Sequence, residues 1–244
     1  MSWAQVRRLA LLAGGLLAVA GPIVATLWVS TPSGDDVQRR VEEMTASYGV
    51  VLLQPDQLPP TLVKAIVATE DERFYQHHGI DTLGALRAGL YDLTNLCLCQ
   101  GGSTITEQLV KDVYLHGSDR GLNKIIDMVL ALKVEGVLTK QQIMADYLSE
   151  ISTGYGKRGM PAAACAYFNA PLSDLTLGQY ALLAGVAQAP SVYDPTVNPD
   201  LAQQRRAQVL RAMESEGYIT REEAKAAGLE PVLVAATTPR PECG

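Results

Sequence analysis

An acidic segment that follows an apolar run holds the first residues that could carry chemistry. It spans residues 68–81 and reads ATEDERFYQHHGID. Leu62, Ile66 and Glu70 follow the i, i+4 spacing of a helix after two prolines, and the same stripe continues to Phe74. This pattern predicts a helix that carries Glu70 on its apolar face.

A carboxylate on an apolar helix face is a candidate proton acceptor. Partial burial removes water from the charged form, so the pKa of Glu70 would rise towards neutrality. A carboxyl group with such a pKa can act as a general base or acid. The alternative is a solvated helix end, in which the acidic residues 70–72 face water and pair with Arg73. Spacing alone leaves both interpretations open.

A second candidate segment combines glycines, hydroxyl groups and a helix start. It reads GGSTITEQLVKD over residues 101–112. Thr104 and Glu107 have the spacing of a capping box, so the simplest interpretation is a well-capped helix. Glycines and hydroxyl groups at a helix N-terminus also form anion sites, and Lys111 follows on the same helix. A phosphate group would suit such a site.

Further helices are predicted to position these segments. Lys124 and Asp127 are i, i+3 neighbours on one of them, and on their own they indicate an ordinary surface pair. The helix at 175–187 is apolar on all sides and too short to cross a membrane, which indicates a buried core helix. The sequence shows no repeat and no convincing run of strands. The helices predicted after the second segment cover residues 123–137, 141–151, 162–168, 175–187, 200–217 and 220–227.

Length and composition indicate a single catalytic domain, predicted over residues 51–230. The chain has 244 residues, of which 48 % are hydrophobic, and this is enough for a real core. The formal net charge of -6 argues against a general nucleic-acid-binding protein, since such proteins carry a basic face. An anionic ligand would therefore be bound by a few local cations.

The N-terminal residues predict a membrane anchor. Two arginines precede an uncharged apolar run over residues 9–29, which is long enough to cross a bilayer as a helix. By the positive-inside tendency, residues 1–8 would form a cytoplasmic tail and the domain would lie outside the cell membrane. A cleaved signal peptide is the alternative, since residues 18–20 have the form of a cleavage site. A linker over residues 30–50 and a tail over 231–244 complete the predicted organisation.

Four cysteines, at positions 97, 99, 165 and 243, are too few for a disulfide scaffold. Cys97 and Cys99 lack both the CxxC spacing and a second pair, so a zinc site is not predicted. Structural or loop-pinning cysteines fit this pattern better.

Five motifs, in this order, resemble the peptidoglycan glycosyltransferase domain of glycosyltransferase family 51, which occurs in class A penicillin-binding proteins and in monofunctional transglycosylases. Residues 70–79 match the first motif, EDxxFxxHxG, at every fixed position. Residues 101–112 resemble the second motif, GGSTxTQQLVKN, and NKIID at 123–127 resembles the third, RKxxE. Residues 147–163 resemble the fourth motif and residues 175–195 the fifth, so the resemblance covers about residues 50–230.

The resemblance implies a mainly α-helical, lysozyme-like domain with two lobes, preceded by one transmembrane helix. The smaller lobe would be a membrane-proximal jaw that includes part of residues 95–125, with the Cys97–Cys99 loop at its edge. The implied reaction is polymerisation of lipid II into glycan strands by inverting transfer, with release of a polyprenyl pyrophosphate. Glu70 would be the general base in the cleft between the lobes, and Asp127 stands where the family has its second catalytic glutamate.

The resemblance also implies a set of substrate-binding residues. Lysines and hydroxyl groups of the second and third motifs would hold the pyrophosphate, whose departing charge needs cations and hydrogen-bond donors. His77 would also buttress the loop that follows Glu70. The full set comprises Asp71, Phe74, His77, Gly102, Ser103, Thr104, Thr106, Gln108, Lys111 and Lys124.

The implied partners are lipid II, the growing glycan chain, the cell membrane and other cell-wall synthesis proteins, with no nucleic acid. A divalent cation such as Mg²⁺ would suit the pyrophosphate. No tightly bound cofactor or metal is predicted, because the sequence shows no dedicated metal cage.

Four substitutions depart from the family pattern. Asp127 replaces a glutamate, Asn123 an arginine, Glu107 a glutamine and Ser149 an asparagine. Aspartate is one methylene shorter than glutamate, and a misplacement of about 1 Å can lower a rate about 100-fold. Glu107 would repel a phosphate unless it faces away as a capping residue. A non-catalytic membrane-anchored module that binds lipid II or cell-wall machinery is therefore the alternative, followed by a glycan-cleaving lytic enzyme.

Overall fold

The computed structural model describes residues 3–95, 101–118, 122–154 and 157–232. Over these residues the fold is mainly α-helical, as predicted, and contains no strand beyond two isolated bridges. Two short 3₁₀ helices, Pro55–Gln57 and Leu172–Asp174, connect longer elements. The α-helices are α1 (Trp3–Ser30), α2 (Val37–Ser47), α3 (Pro60–Glu70), α4 (Thr82–Asn95), α5 (Ile105–Leu115), α6 (Asn123–Val134), α7 (Lys140–Glu150), α8 (Met160–Phe168), α9 (Leu177–Gln188), α10 (Pro190–Tyr193), α11 (Pro199–Ser215) and α12 (Arg221–Leu229).

Helix α9 lies at the centre of the core, which explains why it is apolar on all sides. Its residues from Tyr180 to Ala187 are all buried, and α3, α8 and α11 pack around it. On α3, Leu62, Ala65 and Ile66 are fully buried in the same core. Each buried Leu or Ile side chain stabilises the fold by about 1.5–3 kcal/mol. The prediction of a buried core helix is confirmed, and its packing fixes the direction in which α3 ends at Glu70.

Four of the described helices begin with the same reciprocal cap. The hydroxyl of an N-cap threonine accepts the backbone N–H three residues further on, and that residue's side chain accepts the threonine N–H. Thr104 and Glu107 form this pair at α5, as predicted. Removing an N-cap side chain costs about 1 kcal/mol. The other pairs are Thr139 with Gln142, Thr176 with Gln179, and Thr220 with Glu223.

Helix α4 was not predicted, although its leucines follow helical spacing. Leu83, Leu86, Leu90 and Leu93 lie on one side of the helix and are all more than half exposed. Two glycines interrupt the same stretch and lower its helix propensity. The predicted bounds of the later helices differ from the observed ones by a few residues, as is usual at frayed ends.

The C-terminal end of α1 is held by one lysine of α6. Lys133 Nζ donates to the backbone oxygens of Trp28, Thr31 and Pro32 at 2.6, 2.9 and 3.0 Å. It also lies 5.2 Å from the centre of the Trp28 ring, within cation–π range. A positive charge at a helix C-terminus is favourable because it meets the negative end of the helix dipole. This lysine therefore joins α1 to the helix that carries Lys124.

Within the ranges that the structure describes, no helix combines the length and the hydrophobicity needed to cross a bilayer.

The predicted Cys97–Cys99 loop, Cys243 and the tail from residue 233 onward lie outside the described residues. Cys165, on α8, is disulfide-bonded.

A buried carboxyl on α7 makes the stability of the fold depend on pH. Asp146 is 5 % exposed and its Oδ2 atom has no hydrogen-bond partner. Burial, with a smaller contribution from the charge of Glu42, raises the pKa of Asp146 from 3.8 to about 7. Because the unfolded chain releases this proton near pH 4, the stability contributed by the protonated group falls between about pH 4 and pH 7 and is absent above pH 7.

We expect Asp146→Asn to raise the free energy of unfolding by about 2 kcal/mol at pH 8 and by much less at pH 4. The neutral amide has the same shape and carries no charge to bury. Urea unfolding at the two pH values measures the difference, and Asp35→Asn, at an exposed position, is the control. An equal gain at both pH values would contradict the assignment to this carboxyl.

Candidate active site

A polar cleft of about 250 Å³ opens where α3 ends. One wall is the acidic segment at the end of α3, the second is α4, and the third is the glycine-rich segment that precedes α5. Gln188, the last residue of α9, completes the lining. The sequence-predicted site residues among the lining are Glu70, Asp71, Gly102, Ser103 and Thr104.

Glu70 is the last residue of α3, and one hydrogen bond and a nearby guanidinium group hold its carboxyl group in the wall of the cleft. Its Oε2 accepts a hydrogen bond from Gln108 Nε2 at 3.1 Å. Tyr147 donates its hydroxyl to Gln108 Oε1 at 3.2 Å, which fixes the orientation of the amide. Arg205 Nη2 lies 3.9 Å from Glu70 Oε1. Residues from α5, α7 and α11 therefore converge on one carboxyl group.

The environment of Glu70 favours the protonated form more than water does. Burial raises the pKa of Glu70, the hydrogen bond from Gln108 and the charge of Arg205 oppose this rise, and the neighbouring Asp71 adds to it. Because the net result is a raised pKa, this carboxyl is a better proton acceptor than an exposed glutamate. The sequence prediction that the Glu70 carboxyl group is partly buried agrees with this geometry.

Asp71 and His77 hold the loop that follows Glu70. His77 Nε2 lies 3.0 Å from both carboxyl oxygens of Asp71, and the backbone N–H of Ile105 donates to Asp71 Oδ2 at 3.1 Å. Both side chains are buried. Asp71 thus joins the acidic segment to the first turn of α5, and His77 buttresses the loop as the resemblance implies.

Phe74 and Thr106, which the resemblance implies as substrate-binding residues, are not among the residues that line the cleft. Phe74 follows the end of α3, is fully buried in the core and lies under the ammonium group of Lys140 at 4.3 Å. Thr106 is also fully buried, and its hydroxyl donates to Glu135 Oε1 at 2.6 Å.

Thr104 fastens three parts of the site together. Its hydroxyl donates to the backbone oxygen of Gly79 at 2.6 Å and accepts the N–H of Glu107 at 3.1 Å. Gly79 has a φ angle of 73° and lies so close to α6 that an added Cβ would approach Ala131 backbone atoms to 2.8 Å. Only glycine meets both conditions. The acidic segment, the start of α5 and α6 are consequently locked in one arrangement.

Lys124 reaches from α6 to the glycine-rich segment. Its Nζ donates to Ser103 Oγ at 2.8 Å and to Glu107 Oε2 at 3.1 Å. Glu107 is 3 % exposed, whereas the Lys124 side chain is 45 % exposed. Glu107 therefore faces inward as a capping residue, and its charge is met by Lys124. The expected repulsion of a phosphate by Glu107 is reduced accordingly.

Asp127 and Lys111 lie away from the cleft lining. Asp127 follows Lys124 on α6 and is 1 % exposed. Lys111, on α5, lies near Glu150, where its positive charge opposes the rise that burial causes in the pKa of that carboxyl. Within the described residues, no group of three or more histidine, cysteine or acidic side chains is arranged to hold a metal ion.

Sequence reasoning missed three side chains that shape the site. Arg205 and Tyr147 support Glu70, and Arg87 of α4 forms an ion pair with Glu72 across the rim of the cleft. Tyr147 lies in the fourth motif, so the sequence marks it as a candidate site residue, but it does not indicate that its hydroxyl group contacts Gln108. The spacing of α11 gave no sign that Arg205 faces α3, because its neighbour Arg206 has the same chemistry.

The chain around this cleft matches known proteins. A family model described as Transglycosylase matches residues 37–214. Penicillin-binding protein 1A of Escherichia coli is 42 % identical over 184 residues, which cover 74 % of this chain and 22 % of that protein. Penicillin-binding protein 1A of Vibrio cholerae is 41 % identical over 181 residues, with the same coverage of 74 % and 22 %. The chain thus spans about a fifth of the length of these relatives.

A shorter relative matches over most of its own length. It is named "Putative transglycosylase", from Cupriavidus necator, and it is 42 % identical over 176 residues. The match covers 72 % of this chain and 76 % of that protein.

Proposed function

The chain belongs to the transglycosylase family, and from this premise we propose that it is a peptidoglycan glycosyltransferase that polymerises lipid II into glycan strands. The observation that carries the proposal is the Glu70 carboxyl group, which is buried in the wall of a polar cleft and has a raised pKa. Ser103 lies on another wall of that cleft, and Lys124 donates to its hydroxyl group at 2.8 Å. A base and a cationic site near one another suit transfer of a sugar from a pyrophosphate.

In the proposed reaction, Glu70 takes the proton from the 4-hydroxyl of the acceptor sugar while that oxygen attacks the anomeric carbon of the donor. The bond between the anomeric carbon and the pyrophosphate oxygen breaks, so the configuration at this carbon inverts and a polyprenyl pyrophosphate leaves. Lys124 and Ser103 would stabilise the negative charge that develops on the leaving group. Gln108 would hold the base in place through its hydrogen bond to Glu70.

The remaining assignments complete this proposal. Gly102 would allow close approach of the pyrophosphate to the backbone, and Lys111 would add positive charge from α5. Asp127 would act from α6 as the second acidic residue of the reaction, one turn after Lys124. A divalent cation such as Mg²⁺ would accompany the pyrophosphate of the substrate.

We further propose the architecture and cellular setting that the family resemblance implies. The domain would have a larger lysozyme-like lobe and a small jaw, and would lie outside the cell membrane with an anchor over residues 9–29. The uncharged apolar sequence of that segment and its helical conformation in α1 support an anchor. The growing glycan chain and other cell-wall synthesis proteins would be its partners.

Polymerisation of fluorescent lipid II by the purified chain in detergent tests the proposal. We expect glycan chains that separate by length on a gel and that lysozyme degrades. Binding of lipid II without any polymer would refute the enzyme and favour a non-catalytic binding module. Shortening of preformed glycan in the same assay would instead identify a lytic enzyme.

A further inference from the structure

Arg205 approaches the oxygen of the Glu70 carboxyl group that Gln108 leaves free. Its Nη2 atom lies 3.9 Å from Oε1, whereas Gln108 donates to Oε2. Only 11 % of the Arg205 side chain and 7 % of the Glu70 side chain are exposed. Charges shielded from water in this way interact more strongly than the same charges at a surface.

The hydrogen-bonding of Arg205 is incomplete for a buried guanidinium. Nη1 donates to Gln208 Oε1 at 3.0 Å, but Nε and Nη2 are buried without a hydrogen-bond partner, and so is Glu70 Oε1. Buried donors and acceptors that have no partner destabilise the folded state. Stability therefore does not explain why an arginine occupies this position.

Two neighbouring residues shape the space through which the Arg205 side chain reaches Glu70. A Cβ atom at Gly185, in the middle of α9, would lie 2.8 Å from Arg205 Cγ, so the glycine leaves room for the side chain. The guanidinium carbon lies 5.7 Å from the centre of the Tyr193 ring, which is within cation–π range. Gly185 thus accommodates the aliphatic part of the Arg205 side chain, and Tyr193 contacts its guanidinium group.

We propose that Arg205 is a positioning residue for the transfer reaction, and that it holds the Glu70 carboxylate in place as the proton acceptor. This inference rests on the proposed function, in which Glu70 is the general base. Arg205 does not line the cleft, so it acts through Glu70 and not on the substrate. Gln108 supports Oε2 with a hydrogen bond, and the positive charge of Arg205 lies beside Oε1 and stabilises the ionised carboxylate in this position.

The charged and titratable groups that face Glu70 come from several elements. Asp71 adjoins it in the chain, Tyr147 faces it from α7 and Arg205 faces it from α11, while α5 contributes the neutral Gln108. Burial raises the pKa of Glu70, and the positive charge of Arg205 lowers it. Removing the guanidinium should therefore raise this pKa further, so that the carboxylate form is reached only at higher pH.

The rate of lipid II polymerisation as a function of pH tests the inference. In Arg205→Gln we expect the acid limb of the kcat/KM profile to move up by about one pH unit, with a loss of about tenfold on that limb. Arg205→Lys keeps the positive charge and should return the acid limb of the profile most of the way to its wild-type position. Arg211→Gln removes a charge from an exposed position on the same helix and should leave the profile unchanged. A rate lowered by one factor at every pH in Arg205→Gln would overturn the inference.

Infrared titration of the Glu70 carboxyl group tests the same coupling without turnover. The signal is assigned by its loss in Glu70→Gln, and we expect a higher midpoint in Arg205→Gln than in the wild type. A higher midpoint in a protein that makes no polymer would refute the proposed function alone. An unchanged midpoint in a protein that does make polymer would refute the role of Arg205 alone.

Discussion

Replacing Glu70 by glutamine is expected to lower the rate of lipid II polymerisation by about 10²–10⁴-fold, the usual contribution of a general base. Glutamine has the same shape and can keep a hydrogen bond with Gln108, but it cannot accept the proton of the acceptor hydroxyl. Since burial raises the pKa of Glu70, the carboxylate is costly to bury, so the neutral side chain should not destabilise the fold. The loss should therefore appear in kcat and not in the melting temperature.

Glu72→Gln is the matched control for this experiment. Glu72 also lines the cleft and belongs to the same acidic segment, but its side chain is 38 % exposed and pairs with Arg87. We expect less than about a tenfold effect, because surface ion pairs contribute about 1 kcal/mol or less. If Glu70→Gln retained more than a tenth of the wild-type rate, Glu70 would not be the base.

The second large effect is expected at Lys124. Replacing it by alanine removes the ammonium group that contacts Ser103 beside the cleft, and we expect a rate loss of about 10²–10³-fold, as for other groups that stabilise charge in a transition state. The same change also leaves the buried Glu107 carboxylate without its cation. A buried polar group that loses its partner costs about 1–3 kcal/mol, so this variant should be less stable as well.

A double variant separates these two consequences of Lys124→Ala. Adding Glu107→Gln removes the uncompensated charge, so we expect urea unfolding to return towards the wild-type value while polymerisation stays low. Glu107→Gln alone frees Lys124 for the pyrophosphate and should keep or raise the rate. Lys64→Ala, at an exposed position of α3, controls for loss of positive charge. Recovery of polymerisation in the double variant would show that Lys124 serves only to balance Glu107.

The sequence was most informative where chemistry and helix periodicity coincide. The i, i+4 stripe that ends at Glu70 describes α3 correctly because its apolar face meets α9 and α11 in the core. The capping-box spacing of Thr104 and Glu107 likewise identifies the start of α5. Both signals lie within short stretches of sequence, and packing in the core stabilises the same helical conformations.

Other features depend on contacts that local patterns do not contain. The stripe continues to Phe74 in sequence, but Asp71 leaves the helical conformation, with φ and ψ of -159° and 76°, because its carboxylate is bound by His77 and the N–H of Ile105. The direction of Arg205 depends on how α11 packs against α3 and α9. Helix α4 was missed although its leucines follow helical spacing, since its two glycines lower the local helix propensity and its apolar side meets no partner in the core.

The lock formed by Thr104, Gly79 and α6 implies that the two sides of the cleft differ in mechanical stiffness. A shift of the side that carries Glu70 and Ser103 would break the hydrogen bond from Thr104 to Gly79 and disturb the close packing of Gly79 on α6, so in the proposed reaction the distance between base and leaving group would change little. Across the rim, α4 meets this side through the ion pair of Arg87 and Glu72, whose side chains are 59 % and 38 % exposed, and through Ala85, whose Cα would lie 3.7 Å from a Cβ atom at Gly102. In the proposed reaction, a widening of the cleft that admits a longer glycan or lets the product slide forward would therefore involve displacement of α4.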